Sequence, residues 1–149
     1  MSKINQACAL PGGYAAYMER HTDPDRLREF IDLILSSLDD DVDGGDIASR
    51  AFLSRYHFDR LISAGTGEAP GALRRRLLLE RAAWELRQSR VSILRVAIGA
   101  GYRSVEGFTR AFGRAFESSP GRYRHSAIDF RLQAPNGVHF HPPGGITIP

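Results

Sequence analysis

The chain contains one cysteine, Cys8, and one lysine, Lys3. A lone cysteine closes no internal disulfide and supplies no multi-cysteine zinc site, so redox and zinc-finger chemistries have no framework here. No apolar run approaches the roughly 18 residues that a membrane-spanning helix needs. The opening stretch MSKINQACALPGGYAAYMER also lacks the charged-then-apolar layout of a secretory signal. A cytoplasmic protein with no membrane association is expected. No segment alternates apolar and polar residues far enough for a central strand, which leaves an all-α fold. The glycine-rich loop GTGEAPG has neither a phosphate-loop lysine nor a preceding strand, so nucleotide binding is not expected. No nucleophile–base pair or carboxylate dyad falls on facing elements, and neither enzyme activity nor a cofactor is expected.

What the chain does have is arginine, unevenly placed. At 149 residues with 42% hydrophobic content it can bury one ordinary core, and its net charge is only +3. Residues 1–49 nevertheless hold four basic and ten acidic side chains, whereas residues 50–125 hold fifteen arginines against six acids. The middle of the chain is thus a cationic block of net +9, the footprint expected of a protein that meets a polyanion.

Two patterns invite a metal reading and do not support one. In DDDVDGGDIASR, Asp39, Asp41, Asp43 and Gly44 fall at positions one, three, five and six of a calcium loop, but position twelve is Arg50 where a bidentate glutamate is required. The acidic loop is better read as favouring the start of the next helix through Asp46. His139 and His141 would share a face if VHFHP were extended, with only His125 as a third candidate and no cysteine or carboxylate nearby. No metal site is expected.

Periodicity divides the chain into a flexible arm at 1–23, carrying a helical turn or two around Tyr14 to His21, a helical domain at 24–125, and a Pro/Gly-rich tail or linker at 126–149. From Pro24, Leu27, Phe30, Ile31, Ile34 and Leu38 make an amphipathic stripe. A short helix from about Asp46 follows, then one opened by Ser54 with Phe58, Leu61 and Ile62 inward. The longest helix spans about 72–89, with Leu73, Leu77, Leu78, Ala82 and Leu86 facing a core. Its Arg74, Arg75, Arg76, Arg81 and Arg87 are expected to be mostly solvated or paired with Glu80 and Glu85. Ile93 to Ala100 is another short helix, Gly101 makes a turn, and Ser104 caps a last helix to about Phe116.

A repeat lies inside this order. SRYHFDR (54–60) and SVEGFTR (104–110) share Ser at the start, Phe four residues on and Arg at the end, fifty residues apart. Each follows a short helix with an aliphatic-Ala pair, Ile47-Ala48 or Val96-Ala97, and a tight turn. That layout is a helix-turn-helix, whose second helix enters the major groove of DNA. The predicted units span about 46–63 and 93–116. With Phe108, Ala111, Phe112 and Ala115 inward, Val105, Glu106, Thr109 and Arg110 form a varied outward patch. Arg suits guanine, Glu suits cytosine, and Val and the Thr methyl suit the thymine methyl. The first unit presents Tyr56, Asp59 and Arg60 in the equivalent places. A linker helix of eighteen residues spans about 27 Å, comparable with the roughly 34 Å between successive major-groove faces of B-DNA.

The run VAIGAGYRSVEGFTRAFGRAFESSPGRYR, with SRYHFDRL and TGEAPGALRRRLLLERAAWEL before it, resembles the AraC/XylS family of bacterial transcription regulators over approximately Leu27 to Arg124. The resemblance implies two homeodomain-like helix-turn-helix subdomains joined by a long linker helix. It also implies sequence-specific binding of double-stranded promoter DNA, activation or repression of transcription set by a separate effector domain, and RNA polymerase as a further partner. By resemblance, Arg55 lies at phosphate beside the first reading helix; Arg103 and Arg114 flank the second on the backbone, and Ser104 at its start counts among the DNA contacts. Phe52 and Gly107 depart from the pattern: Phe52 stands where the family often has a small residue, and Gly107 lies inside the second reading helix. The tail is similar to the entry of a DinB-like domain in regulators that carry one after the DNA-binding part, so an effector domain beyond this chain is expected. The alternative reading is a protein-interaction or ligand-sensing module of a longer regulator.

Overall fold

A computed structural model describes residues 24–143. The predicted arm and Cys8 lie outside the described residues. Within them the chain forms seven helices and no strand: α1 Pro24–Ser36, α2 Gly44–Arg50, α3 Arg55–Thr66, α4 Pro70–Gln88, α5 Ile93–Gly99, α6 Val105–Phe116 and α7 Pro120–Tyr123. None is long and apolar enough to cross a membrane. The fold is all-α, as the missing alternation implies, and the described residues divide into two compact units, 24–36 with 42–70 and 37–41 with 71–143.

In the first unit the stripe of α1 buries Phe30, Ile31 and Ile34, α2 buries Ile47 and Ala48, and α3 buries Phe58, Leu61 and Ile62. Phe30 meets Phe58 edge-on at 5.8 Å between ring centroids, a favoured aromatic geometry. Helix α2 begins two residues before Asp46, because Asp43 is its N-cap. The Asp43 carboxylate accepts from the Asp46 amide, and Asp46 accepts from the Asp43 amide in return. This reciprocal cap satisfies two amides that the helix itself leaves unpaired, and the Asp46 amide chiefly holds the Asp43 carboxyl below its usual range. The acidic loop therefore starts a helix.

The two short helices α2 and α5 end in the same way. After α2 the Leu53 amide bonds Ala48 O and the Phe52 amide bonds Ser49 O; after α5 the Tyr102 amide bonds Ala97 O and the Gly101 amide bonds Ile98 O, all near 3.0 Å. This double bond pattern requires its central residue to be left-handed. Gly101 meets the requirement at φ 87°, while Phe52 meets it at φ 57° with a phenyl side chain that is 96% exposed.

The second unit is built on α4. Leu79, Ala82, Ala83 and Leu86 pack with Val96, Ala97, Phe108, Phe112, Phe116 and Tyr123. Phe112 stacks on Phe116 at 4.5 Å and meets the Tyr123 ring edge-on at 5.2 Å. The Tyr-Arg pair that closes the signature is internal: the Tyr123 hydroxyl donates to Ile128 O, and the Arg124 guanidinium donates to Leu86 O and Val91 O. Arg124 thus satisfies a carbonyl in the last turn of α4 and another just beyond it.

Of the two roles expected for the α4 arginines, pairing holds for Arg76 with Glu80 and for Arg81 with Glu85 at 3.8 Å, whereas solvation does not hold for most of them. Arg74 donates to Ser37 O and Asp40 O, and Arg81 to the Asp39 carboxylate and Gly99 O, so both hold loop 37–41 and Arg81 also caps α5. Arg87 donates to Ser126 O and lies over the Tyr123 ring. Arg76 is 8% exposed and pairs with a fully buried Glu80 at 2.9 Å. Of the five, Arg75 alone is exposed.

Glu80 fixes the segment that follows α7. Its carboxylate accepts from Arg76, from the backbone amides of Leu132 (3.0 Å) and Phe140 (2.9 Å), and from His139 Nδ1 (3.0 Å), with the ring proton assigned there because a carboxylate can only accept. Asn136 Oδ1 accepts from Arg76 Nη2 and from the Val138 amide. Val138 and Phe140 are buried, and Phe140 meets Trp84 edge-on at 5.9 Å. Residues 126–143 of the Pro/Gly-rich tail therefore pack on α4, and residues 144–149 lie outside the described ones.

Two outcomes follow. Removing Glu80 strands Arg76 and two amides in the interior, so Glu80→Ala is expected to lower the stability of the second unit by about 3–5 kcal/mol, read as an earlier urea transition in the fluorescence of Trp84, the chain's one tryptophan. Phe52→Gly removes a left-handed side chain that packs on nothing, so it is expected to stabilise the first unit by about 1 kcal/mol, seen as a higher melting temperature in circular dichroism.

Candidate nucleic-acid interface

Each reading helix is started by its serine. Ser54 Oγ accepts from the His57 amide at 3.2 Å, and Ser104 Oγ accepts from the Gly107 amide at 3.1 Å. The cap fixes where each helix begins and therefore which residues of its first turns face outward. In both units the capped amide is the third of the helix. A side chain is accommodated there in the first unit, His57, so the cap does not demand glycine at 107; a Cβ at Gly107 would sit 3.2 Å from Ser104 Oγ.

On α3, Arg55 and Tyr56 are exposed, while Asp59 and Arg60 are half-buried. Arg60 Nη1 donates to the Tyr56 hydroxyl at 3.2 Å, and its guanidinium lies 5.4 Å over the same ring. The pair holds an aromatic face and a fork of donors together one turn apart, an arrangement that removes rotamer freedom from Arg60. The Arg55 guanidinium lies over Gly44, close enough to Asp43 to add to the lowering of that carboxyl.

On α6, Glu106 and Arg110 are exposed, and Val105 and Thr109 are half-buried on the same outward side. Phe108, Phe112 and Phe116 occupy the inward side, with the Tyr102 ring edge-on to Phe108 at 5.6 Å. Ala111 and Ala115, expected inward, are half-buried; Ala115 packs against the core as expected, and Phe116 joins the inward side. Glu106 and Arg110 stand one turn apart, but no ion pair joins them among the described residues. Arg103, Ser104 and Arg114 are all exposed. The sequence-predicted residues thus gather into two outward sets, one on α3 and one on α6. Sequence reasoning missed the arginines that serve the interior, for which only the Pro-x-x-Tyr-Arg signature carried a signal, and the Tyr56–Arg60 contact, which the i, i+4 spacing could have indicated.

Residues 47–126, more than half the chain, match the family model described as a helix-turn-helix domain. The transcriptional regulator Rob of Salmonella typhimurium is 32% identical over 101 residues, covering 68% of this chain and 35% of Rob. This chain spans about a third of the length of the first curated relatives it matches. Among solved structures, an AraC-type transcriptional regulator from Chromobacterium violaceum superposes with a TM-score of 0.62 at 26% identity, covering 66% of this chain and 88% of that one. The DNA-binding domain of the global transcriptional factor AdpA, solved in complex with a target DNA, gives 0.56 at 34% identity over 66% of this chain and 89% of that one. Two helix-turn-helix units, each with a serine-capped second helix, joined by one long helix and closed by the Tyr-Arg signature, accord with these matches, and the chain belongs to the AraC-type helix-turn-helix family.

Proposed function

We propose that this chain is the DNA-binding part of a transcription regulator, and that it reads double-stranded promoter DNA with α3 and α6 in adjacent major grooves. The observation that carries the reading is the duplicated reader: two serine-capped helices, each with an outward face of mixed hydrogen-bonding and methyl groups over an aromatic core. Tyr56, Asp59 and Arg60 are assigned to bases from α3, and Val105, Glu106, Thr109 and Arg110 from α6. Arg60 and Arg110 suit the O6 and N7 of guanine, Glu106 the amino group of cytosine, and Val105 and Thr109 a thymine methyl. Arg55, Arg103, Ser104 and Arg114 are assigned to the phosphate backbone, which positions without specifying. The likeness to AdpA's DNA-binding domain, solved in complex with a target DNA, supports the reading of duplex DNA as the partner. The reading is of a cytoplasmic regulator rather than an enzyme, one that meets RNA polymerase at the promoter and takes its effector control from a domain beyond these residues.

A selection from random duplexes, followed by titration of the recovered site at several salt concentrations, tests the proposal. Affinity is expected to fall steeply with salt, by about one power of salt concentration for each phosphate neutralised. Arg110→Ala is expected to cost about 1–3 kcal/mol on the selected site and to relax preference at one base pair, whereas Arg114→Gln weakens all sequences alike and lowers the salt slope by about one. Equal binding of the parent and Arg110→Ala to the selected site would remove Arg110 from the interface.

A further inference from the structure

The two reading helices carry an arginine at the same place in the repeat, Arg60 on α3 and Arg110 on α6. What surrounds the two differs. Arg60 Nη1 donates to the Tyr56 hydroxyl at 3.2 Å while the guanidinium lies 5.4 Å over the Tyr56 ring. Tyr56 is 58% exposed, so core packing does not fix that ring. It instead meets His57 edge-on at 5.8 Å, and His57 Nδ1 lies 2.9 Å from Oγ of the N-cap Ser54. A chain of contacts thus runs from the capped end of α3 through two rings to the guanidinium. On α6 neither ring recurs. Glu106 stands in the place of Tyr56 and Gly107 in the place of His57, and no ion pair joins Glu106 to Arg110 among the described residues.

We propose that Tyr56 is a positioning residue for Arg60: its hydroxyl and ring hold the guanidinium in the orientation that reads one base pair, so that the first reader is set before DNA arrives and the second is not. A long side chain that is ordered only on binding loses affinity to that ordering. An arginine already stacked on an aromatic face and bonded through one nitrogen has lost part of that freedom on folding. Because the guanidinium is planar, fixing its plane and one N–H fixes the direction of the others, and a wrong base meets donors aimed elsewhere. The inference rests on the reading of α3 as a helix that contacts DNA. It goes beyond that reading in assigning the Tyr56 hydroxyl to Arg60 rather than to a base.

A double-mutant cycle of Tyr56→Phe and Arg60→Ala in the full chain tests the proposal, with dissociation constants read by fluorescence anisotropy on the selected duplex and on single-base variants of it. Tyr56→Phe keeps an exposed ring and removes only the hydroxyl, so its melting temperature is expected to match the parent's. It is expected to weaken binding about three- to tenfold and to relax preference at the base pair that Arg60→Ala also relaxes. The salt slope, and the preference that Arg110→Ala relaxes, are expected to stay as in the parent. In the Arg60→Ala background the same change is expected to cost less than about twofold. Parental affinity of Tyr56→Phe beside a weakened Arg60→Ala overturns the positioning role and leaves α3 a reader of DNA. Equal losses in both backgrounds overturn it in favour of a hydroxyl that contacts DNA itself. Parental affinity of Arg60→Ala overturns the role together with the assignment of Arg60 to a base.

Discussion

A helix ends with amides and carbonyls that its own ladder cannot satisfy, and in this protein the short distance over which that must be put right determines how each reader is aimed. Between α2 and α3 the chain has the turn from Ala51 to Ser54, and between α5 and α6 the turn from Ala100 to Ser104. In each, the carbonyls of the finished helix are closed by the left-handed residue and the one after it, and the first amides of the next helix are closed by serine. Little freedom is left. The rotation of the second helix, and hence which of its residues face outward, follows from the turn.

Arginine is the second organising element, and its count misleads unless it is divided by location. The cationic block has fifteen arginines, but Arg74, Arg76, Arg81, Arg87 and Arg124 are turned to carbonyls, carboxylates and rings within the second unit. A guanidinium has five donors in a planar fork, so it can bond two carbonyls of a helix end or a loop at once, which lysine cannot do with the same geometry. The near-absence of lysine therefore has a structural side. The arginines exposed around the two serine-capped helices, Arg55, Arg103, Arg110 and Arg114, are a smaller set than the block's total implies.

What could be read in the sequence was what depends on local spacing. The inward stripes of α1, α3, α4 and α6 repeat every three or four residues, and the serine caps stand where the periodic apolar residues begin, so element type and most of the core were legible. The repeat of Ser, Phe and Arg marked the two serine-capped helices. Contacts across long sequence separations were not legible. Glu80 bonds Phe140, 60 positions away, through a backbone amide that any residue but proline would supply, and composition alone marked that segment as a tail. The left-handed state of Phe52 was likewise hidden, because the propensity of phenylalanine points away from it and only the turn imposes it.

Hydroxyl-radical and guanine-methylation footprinting of the chain on its selected duplex examines the central claim, that one chain reads DNA twice. The account predicts two major-groove windows protected on the same side of the duplex, separated by about 10–10.5 base pairs. Protection confined to one window, with the bases one turn away as reactive as in free DNA, would contradict it.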